Sequence, residues 1–446
     1  MNVIEDKLLS DIRQLFKEGI KAVLPSTLMH KAIRLDGNLL QITDVNKNHK
    51  QIDLDYYEKI FVIGAGKASV GMAEELEKIF AKNNQKIASG IIVTPYGTKK
   101  NLELIEVIEA SHPLPDKNGI EGAEKIIQLC TNATEKDLII NLLSGGASAL
   151  LPAPASGITL SEKIEVTNQL LKKGAPIEEL NLVRKHLSKI KSGKLLEYIY
   201  PAQVISLIIS DVIGDNIDVI GSGITSVQKS NFEGFQNIIM KYELQNLIPS
   251  SLLKTMGENE DQFENSSLYK SISTNIIIGN NSIALNRIAD FANRWGYSVQ
   301  IMDKRLSGEA REVGDKIAKD IIELKKNLRN NFNCLIYGGE TWVKVRGNGE
   351  GGRNQELALS VAINIDGLAG VQFLSGGSDG IDGPTNAAGA FCSGKTINNA
   401  KNEHIYFTKY QNNNDSHNFF KLINQLVITG PTGTNVADIQ IVLLHI

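Results

Sequence analysis

A chain of 446 residues has room for two or three domains and a full apolar core. Its 42% hydrophobic and 22% charged residues are ordinary for a globular protein. The formal net charge of −3 excludes a general basic field that would draw it to nucleic acid or an anionic membrane, and no apolar run reaches the ~20 residues of a membrane span.

The chain has 3 cysteines, Cys130, Cys334 and Cys392, with neither a CxxC pair nor a metal-site spacing. Cys130 and Cys334 lie in apolar runs as small core residues, which predicts reduced thiols and a cytoplasmic protein. At the N-terminus acids precede any apolar stretch, so it does not read as a signal peptide. Ile4, Leu8, Ile12, Leu15 and Ile20 recur at helical spacing, and Pro25 closes that helix.

Residues 35–57 read as polar and irregular. Strands are then predicted over 59–63, 87–94, 137–143 and 204–209, with helices over 68–82 and 118–132 between them. Thr159 to Glu162 has the pattern of a helix start, and a second helix is expected over 177–195. Residues 222–271 are polar and mostly helical, with a surface loop at Glu258-Asn259-Glu260-Asp261. Further strands are expected over 275–278, 298–302, 333–337, 371–374, 425–428 and 439–444. Alternating strands and helices predict an α/β fold with largely parallel sheets, in two domains over 1–245 and 246–446. No short-period repeat is present.

Strand after strand ends in Gly, Ser or Asp: GAGK, SGGAS, SDVIGD, GNNS, GGET, SGGSDG and TGPTG. Ligands of open α/β sheets bind outside the carboxyl ends of strands, so these endings predict a large polar cleft shared by two domains. GAGKAS at 64–69 is an imperfect dinucleotide fingerprint. Ser69 stands where the third Gly belongs, and no acid ends the next strand. Lys67 at the mouth of a helix suits phosphate better. In LLSGGAS the amides of Gly145, Gly146, Ala147 and Ser148 could cradle a phosphate or carboxylate, with the hydroxyls of Ser144 and Ser148 as added donors. Arg184 and Lys191 are two helical turns apart and share a face; that stretch reads equally as a solvated basic surface. Asp211 and Asp379 follow strands and suit a general base or Mg²⁺, whereas Asp382 reads as turn chemistry. Residues 389–396 match G-x-x-x-x-G-K-[ST] letter for letter, but the flanking stretches are a loop and a poor helix start, so the match reads as chance.

The stretch GGETWVKVRGNGEGGRNQE at 338–356 carries two glycine clusters that bring amides to a ligand and deliver Arg353 to a helix N-terminus. With VIGAGKAS (62–69), SHPLPD (111–116), LLSGGASALLPAP (142–154), NLVRKHLSKIKSGKL (181–195), SDVIGD (210–215), SGGSDGIDGPT (375–385) and TGPTGTNVADIQIVL (429–443), it resembles the glycerate 2-kinase family, whose C-terminal part is the MOFRL domain, here about 330–446. The chain departs from the family pattern at Gly221 to Thr225, at Ser192 and at Asn386. The resemblance implies two α/β domains, the first a Rossmann-like three-layer sandwich, with an interdomain cleft. It implies transfer of the ATP γ-phosphoryl group to the 2-hydroxyl of D-glycerate, with ATP and Mg²⁺ as cofactors and room for a homodimer. Lys67, Asp211, Arg353 and Asp379 are the implied catalytic residues, Asp211 and Asp379 also as metal ligands. Gly66, Ser144 to Ser148, Arg184, Lys191, Gly339, Glu340 and Asn354 are the implied substrate or phosphate binders. A nicotinamide-dependent hydroxypyruvate reductase and a non-catalytic sugar-acid-binding protein are the alternatives.

Overall fold

The computed structural model describes residues 3–249, 252–253, 266–326 and 332–445. The chain divides into two compact units: a first unit of residues 29–209 and 215–278, and a second of 1–28, 210–214 and 279–446. This division differs from the expected boundary near 245. The reason is local packing. Helix α1 (Val3–Ala22) buries Ile12, Leu15 and Phe16 completely, and its Phe16 ring lies against Gly376 of the second unit.

The first unit begins with three antiparallel strands, β1 (Ile33–Asp36), β2 (Leu39–Thr43) and β3 (His49–Asp53). They replace the irregular stretch expected over 35–57. The strands are short and two-sided, burying only alternate residues such as Leu40 and Ile42, so their apolar signal is weak. The main sheet holds β4 (Lys59–Ala65), β5 (Ser89–Pro95), β6 (Ile105–Ala110), β7 (Asp137–Ser144), β8 (Gln203–Ile209) and β9 (Ser273–Gly279), in the spatial order β6-β5-β4-β7-β8-β9. The run from β6 to β8 is parallel throughout. β7 is buried along its whole length, which is why it reads as one apolar run rather than an alternation. The strand order reverses between β4 and β7, the switch point at which open α/β sheets place their ligands.

Helices α2 (Ser69–Lys82), α3 (Lys117–Thr131), α4 (Ala147–Leu150), α5 (Leu160–Lys172) and α6 (Ile177–His186) connect these strands. α5 starts at the expected capping box: Thr159 Oγ1 accepts from Glu162 N at 3.2 Å and Glu162 Oε2 from Thr159 N at 2.7 Å. α6 stops at His186, not near 195, because the residues after it leave the helix to pair with the 153–155 stretch: Ala155 N donates to Leu187 O at 3.2 Å and Lys189 N to Ala153 O at 3.0 Å. Arg184 and Lys191 therefore do not share a helix face. The acidic run at 258–261 lies outside the described residues.

The second unit carries α7 (Asn281–Arg294), β10 (Val299–Glu309), α8 (Ala310–Lys326), β11 (Cys334–Trp342), α9 (Arg353–Asn364), β12 (Val371–Gly377), β13 (Gly389–Ser393), β14 (Leu426–Val427) and β15 (Asp438–Leu444). Its sheet runs β10-β11-β15-β12-β13-β14. Only β10 and β11 pair in parallel; the other neighbours are antiparallel, contrary to the expectation of largely parallel sheets. Two causes operate. The 378–388 connection holds no helix, so β13 returns antiparallel. β11 and β12 keep the parallel sense that the α9 crossover demands, but the last strand of the chain, β15, enters between them.

α9 is anchored by Leu357, Ala358, Leu359, Val361 and Ala362, all fully buried among Val313, Ile317, Phe373 and Phe419. Burial of each leucine stabilises by about 1.5–3 kcal/mol, so the N-terminus of α9, and with it Arg353, is held firmly over the sheet. The 389–396 match is not a phosphate loop: its first half is β13 itself, and Lys395 Nζ pairs with Glu5 at 2.6 Å. Thr396–Asn402 does form a short helix, against the poor start read from the sequence.

Candidate functional site

In the first unit the ends of β4 and β7 lie side by side. Gly66 (φ 137°) fits there because an added Cβ would stand 2.1 Å from Ser144 Oγ. The glycine thus serves close strand packing. Lys67 follows, its backbone N donating to Gly145 O at 2.9 Å. Ser144 is wholly buried, and its Oγ accepts from Ala68 N at 3.0 Å and lies 3.2 Å from Ser69 Oγ. This corrects its expected role as a ligand donor, because the hydroxyl is already committed to holding the turn. Gly146 (φ 88°) is the left-handed entry to α4, and the His112 ring lies 3.0 Å from where its Cβ would be. The SHPLPD stretch is thus brought to the SGGAS turn, a pairing that nothing local in the sequence signals.

Ser148 Oγ is 3.0 Å from Ser222 Oγ and accepts from Lys191 Nζ at 2.5 Å; the same Nζ donates to Ser148 O at 3.0 Å. Lys191 is 2% exposed, so the solvated basic face considered for this stretch does not exist there. Burial, with Arg184 and Lys185 close by, pushes its ammonium down to about 7. Lys163 and Lys194 join this group. Their burial was hidden from the sequence, where each reads as a surface lysine on a polar helix. Burial drives Lys194 down to about 8 and Lys163 well below the ordinary lysine range, the latter helped by Lys191, Lys194 and Arg184. A separate cavity of about 390 Å³ is lined by Asp44, His49, Asp215 and Asn275. Its Asp44 already accepts from Asn46 N, Asn48 N and Asn48 Nδ2.

In the second unit β11 runs on through Gly338 and Gly339 to Trp342 rather than stopping at the glycines. The register sets Gly339 and Gly377 on either side of Asp438. Asp438 is wholly buried and grips Arg353 by both carboxylate oxygens: Nε donates at 2.6 Å and Nη2 at 2.9 Å. Glu340 takes the third corner, 2.6 Å from Nη1. The Arg353 side chain remains 33% exposed. Asp438 and Glu340 hold its guanidinium well above the usual range against the opposing cost of burial.

Much of the glycine stretch before Arg353 gives its amides to protein oxygens. Arg346 N and Gly347 N donate to Asn414 Oδ1, Gly349 N to Asn413 O and Glu350 N to Asp415 Oδ1. The helix N-terminus is occupied as well: Asp382 accepts from Asn354 N at 3.1 Å and Gln355 N at 2.9 Å. Asp382 is therefore a helix cap supplied from a distant loop, not merely a turn residue. Its burial pushes it up to about 6. Asn354 is 1% exposed, donating to Asp382 and accepting from Ser375 Oγ at 2.6 Å, so it supports the helix rather than meeting a substrate.

The 429–436 loop holds both candidate acids. Asn435 Nδ2 donates to Asp211 Oδ2 at 3.2 Å, and Thr432 N to the Asp379 carbonyl at 3.1 Å. At the Cβ position that Gly377 lacks, Asp379 Oδ1 is 3.1 Å away and Asp438 Oδ1 3.4 Å away. Two carboxylate oxygens thus converge on one spot. Among the described residues no group of three or more His, Cys, Asp or Glu is arranged for a metal ion. Asp438 Oδ1 is bound by Arg353 Nη2 and Asp379 Oδ1 accepts from Ile381 N at 3.0 Å, so that spot is not itself a metal cradle. Mg²⁺ commonly takes only one or two carboxylates, with phosphate and water completing its shell, and Asp379 and Asp211, both held by the 429–436 loop, can supply them. Among the described residues no helix is long and apolar enough to cross a membrane.

Comparison with known proteins adds the following. Residues 11–257 match the family model described as a domain of unknown function, DUF4147, and residues 333–438 match the MOFRL family. The D-glycerate 2-kinase of Thermotoga maritima is 37% identical over 438 residues, covering 97% of this chain and 97% of its own. The glycerate 2-kinase of Pyrococcus horikoshii is 36% identical over 444 residues, covering 97% and 98%. The crystal structure of a glycerate kinase from Thermotoga maritima superposes with a TM-score of 0.83 at 35% identity, covering 99% of this chain and 100% of that one.

Proposed function

The chain belongs to the glycerate kinase family of DUF4147 and MOFRL domains and is a glycerate 2-kinase; from that premise we propose that Lys67 and Arg353 carry its phosphoryl transfer. The observation that supports the function is similarity along 97% of the chain to a D-glycerate 2-kinase. The C2 hydroxyl oxygen of D-glycerate bonds to the γ-phosphorus of ATP, the bond to the β-bridging oxygen breaks, and ADP and 2-phosphoglycerate leave. The hydroxyl proton passes to a carboxylate.

Such a reaction needs positioning and charge neutralisation more than covalent chemistry. In our reading the first unit is Rossmann-like, and Lys67 at its switch point offsets charge on the phosphates. Arg353 offers the Nη1 edge that Glu340 now covers, while Asp438 fixes the plane of the guanidinium. Asp211 or Asp379 accepts the hydroxyl proton. Asp379, with Asp211, would hold Mg²⁺, which when bound neutralises phosphate charge. The SGGAS amides bind phosphate or carboxylate. A nicotinamide reductase is disfavoured, because Gly66 is needed for strand packing and β5 ends in Thr94-Pro95 with no acid for a ribose.

The test is ADP release with D-glycerate, ATP and Mg²⁺ for wild type, Lys67→Ala and Arg353→Ala. Loss of about 10²–10³ in kcat is expected for each variant. Turnover by either variant at the wild-type rate would remove that residue from the mechanism.

A further inference from the structure

The first unit gathers Lys163 from α5, Arg184 and Lys185 from the last turn of α6, and Lys191 and Lys194 from the turn beyond it, close enough to repel one another. Their hydrogen bonds go to neutral oxygens. Lys163 Nζ donates to Pro152 O at 2.7 Å, Lys185 Nζ to Gln228 Oε1 at 2.7 Å and Lys191 Nζ to Ser148. Lys194 Nζ donates to the carbonyls of Lys185, His186 and Ser188 at 3.3, 3.5 and 3.0 Å. Among the described residues none of these cations has a carboxylate within ion-pair distance, and half-buried Arg184 makes no hydrogen bond. Glu197 acts on Lys194 and Asp218 on Lys185 only at longer range.

Concentrated positive charge in a low-dielectric interior is costly unless an anion answers it. Part of the cluster has a structural reason. Lys194 sits on the terminal carbonyls of α6, where a cation is favoured, and Lys163 satisfies a buried carbonyl. Lys191 also donates to a carbonyl, that of Ser148, but Arg184 has no such explanation, and Lys191 reaches the same SGGAS turn whose other end carries Lys67. Gly145 and Ser148 are three residues apart, at most about 10 Å of chain, the scale of a small acid bound at both ends. Lys191 is 2% exposed, so a small dehydrated anion suits it better than a hydrated, metal-bearing triphosphate.

We propose that Arg184 and Lys191, with Ser148, hold the carboxylate of the acid substrate, that Lys163 and Lys194 supply positive potential behind them, and that this subsite makes the enzyme select hydroxy acids over neutral polyols. It rests on the glycerate 2-kinase reading. A carboxylate bound there raises the Lys191 ammonium, which burial, Arg184 and Lys185 hold down when the site is empty. Binding above pH 7 therefore takes up a proton.

The test is calorimetric titration of D-glycerate, without ATP, at about pH 8 in two buffers of different ionisation heat. Wild type should show proton uptake. Arg184→Met should weaken binding by about 10- to 100-fold, the scale of a charged hydrogen bond. Lys191→Met should abolish the proton uptake. Arg184→Lys, which keeps the charge, should recover part of the affinity and so separates loss of the subsite from loss of fold. The preference for D-glycerate over glycerol, as a ratio of kcat/KM, should fall in Arg184→Met while KM for ATP holds. Unchanged glycerate affinity in Arg184→Met and Lys191→Met overturns the proposal, as does loss of inorganic phosphate binding in place of glycerate binding. Lys67→Met separates the two readings. If it still binds glycerate but cannot transfer phosphate, both stand. If it stays fully active, the Lys67 assignment fails and the carboxylate subsite survives.

Discussion

Asp438→Asn is the sharpest probe of how Arg353 is held. Asp438 is wholly buried and accepts from Nε at 2.6 Å and Nη2 at 2.9 Å. Asparagine keeps the volume but removes the charge and turns one acceptor into a donor facing a guanidinium donor. Breaking a buried pair costs about 3–5 kcal/mol. Arg353 is 33% exposed and keeps Glu340, so exposure to solvent discounts that figure to about 2–3 kcal/mol. For a unit of this size that lowers Tm by about 4–12 °C. The larger effect is catalytic: with its plane unfixed, Arg353 should lose about 10²-fold in kcat, with KM for D-glycerate little changed. Calorimetric melting and steady-state kinetics read the two effects separately. A variant that melts lower yet turns over within about twofold of wild type would refute the claim that Asp438 orients a catalytic arginine.

Arg353→Lys should lose about 10²-fold or more in kcat, because an ammonium cannot occupy the Asp438 fork and reach toward phosphate together; steady-state rates decide it. Lys395→Ala should leave KM for ATP unchanged, since that lysine pairs with Glu5, and a collapse of ATP affinity would reinstate the phosphate-loop match. Asp382 is pushed from 3.8 up to about 6, so between those values the folded state keeps a proton that the unfolded state has lost. Stability from this group is therefore present at low pH and falls as pH rises through that window, by about 3 kcal/mol. Asp382→Asn should flatten this slope in denaturant titrations compared at about pH 4.5 and 7, and an unchanged slope would show that Asp382 is not its source.

The parallel half of the fold was legible because β4 and β7 are buried on both faces and therefore read as apolar runs, and because their ends carry GAGK and SGGAS. Much of the second unit was not, since its sheet depends on β15 entering between β11 and β12 from the far end of the chain. Asp438 consequently looked like an ordinary residue at a strand start, although it is the main partner of Arg353. The glycines at 347–352 pointed correctly to close backbone approach, but the approaching partners are the 413–416 stretch and Asp382. Composition could not name those partners. Arg184 and Lys191 were drawn together by a helical spacing that ends at His186, and tertiary packing reunites them with Lys163 and Lys194. The three short strands over 33–53 were missed for want of a continuous apolar signal.

The most direct test of the central claim is the position of the phosphate in the product. In proton-coupled phosphorus NMR, a phosphate on the C2 hydroxyl of glycerate couples to one methine proton and gives a doublet. A phosphate on C3 couples to two methylene protons and gives a triplet. Incubation with ATP, Mg²⁺ and D-glycerate should yield the doublet alone, lost in Lys67→Ala and Arg353→Ala. A triplet, or no phosphorylated acid at all, would contradict the account.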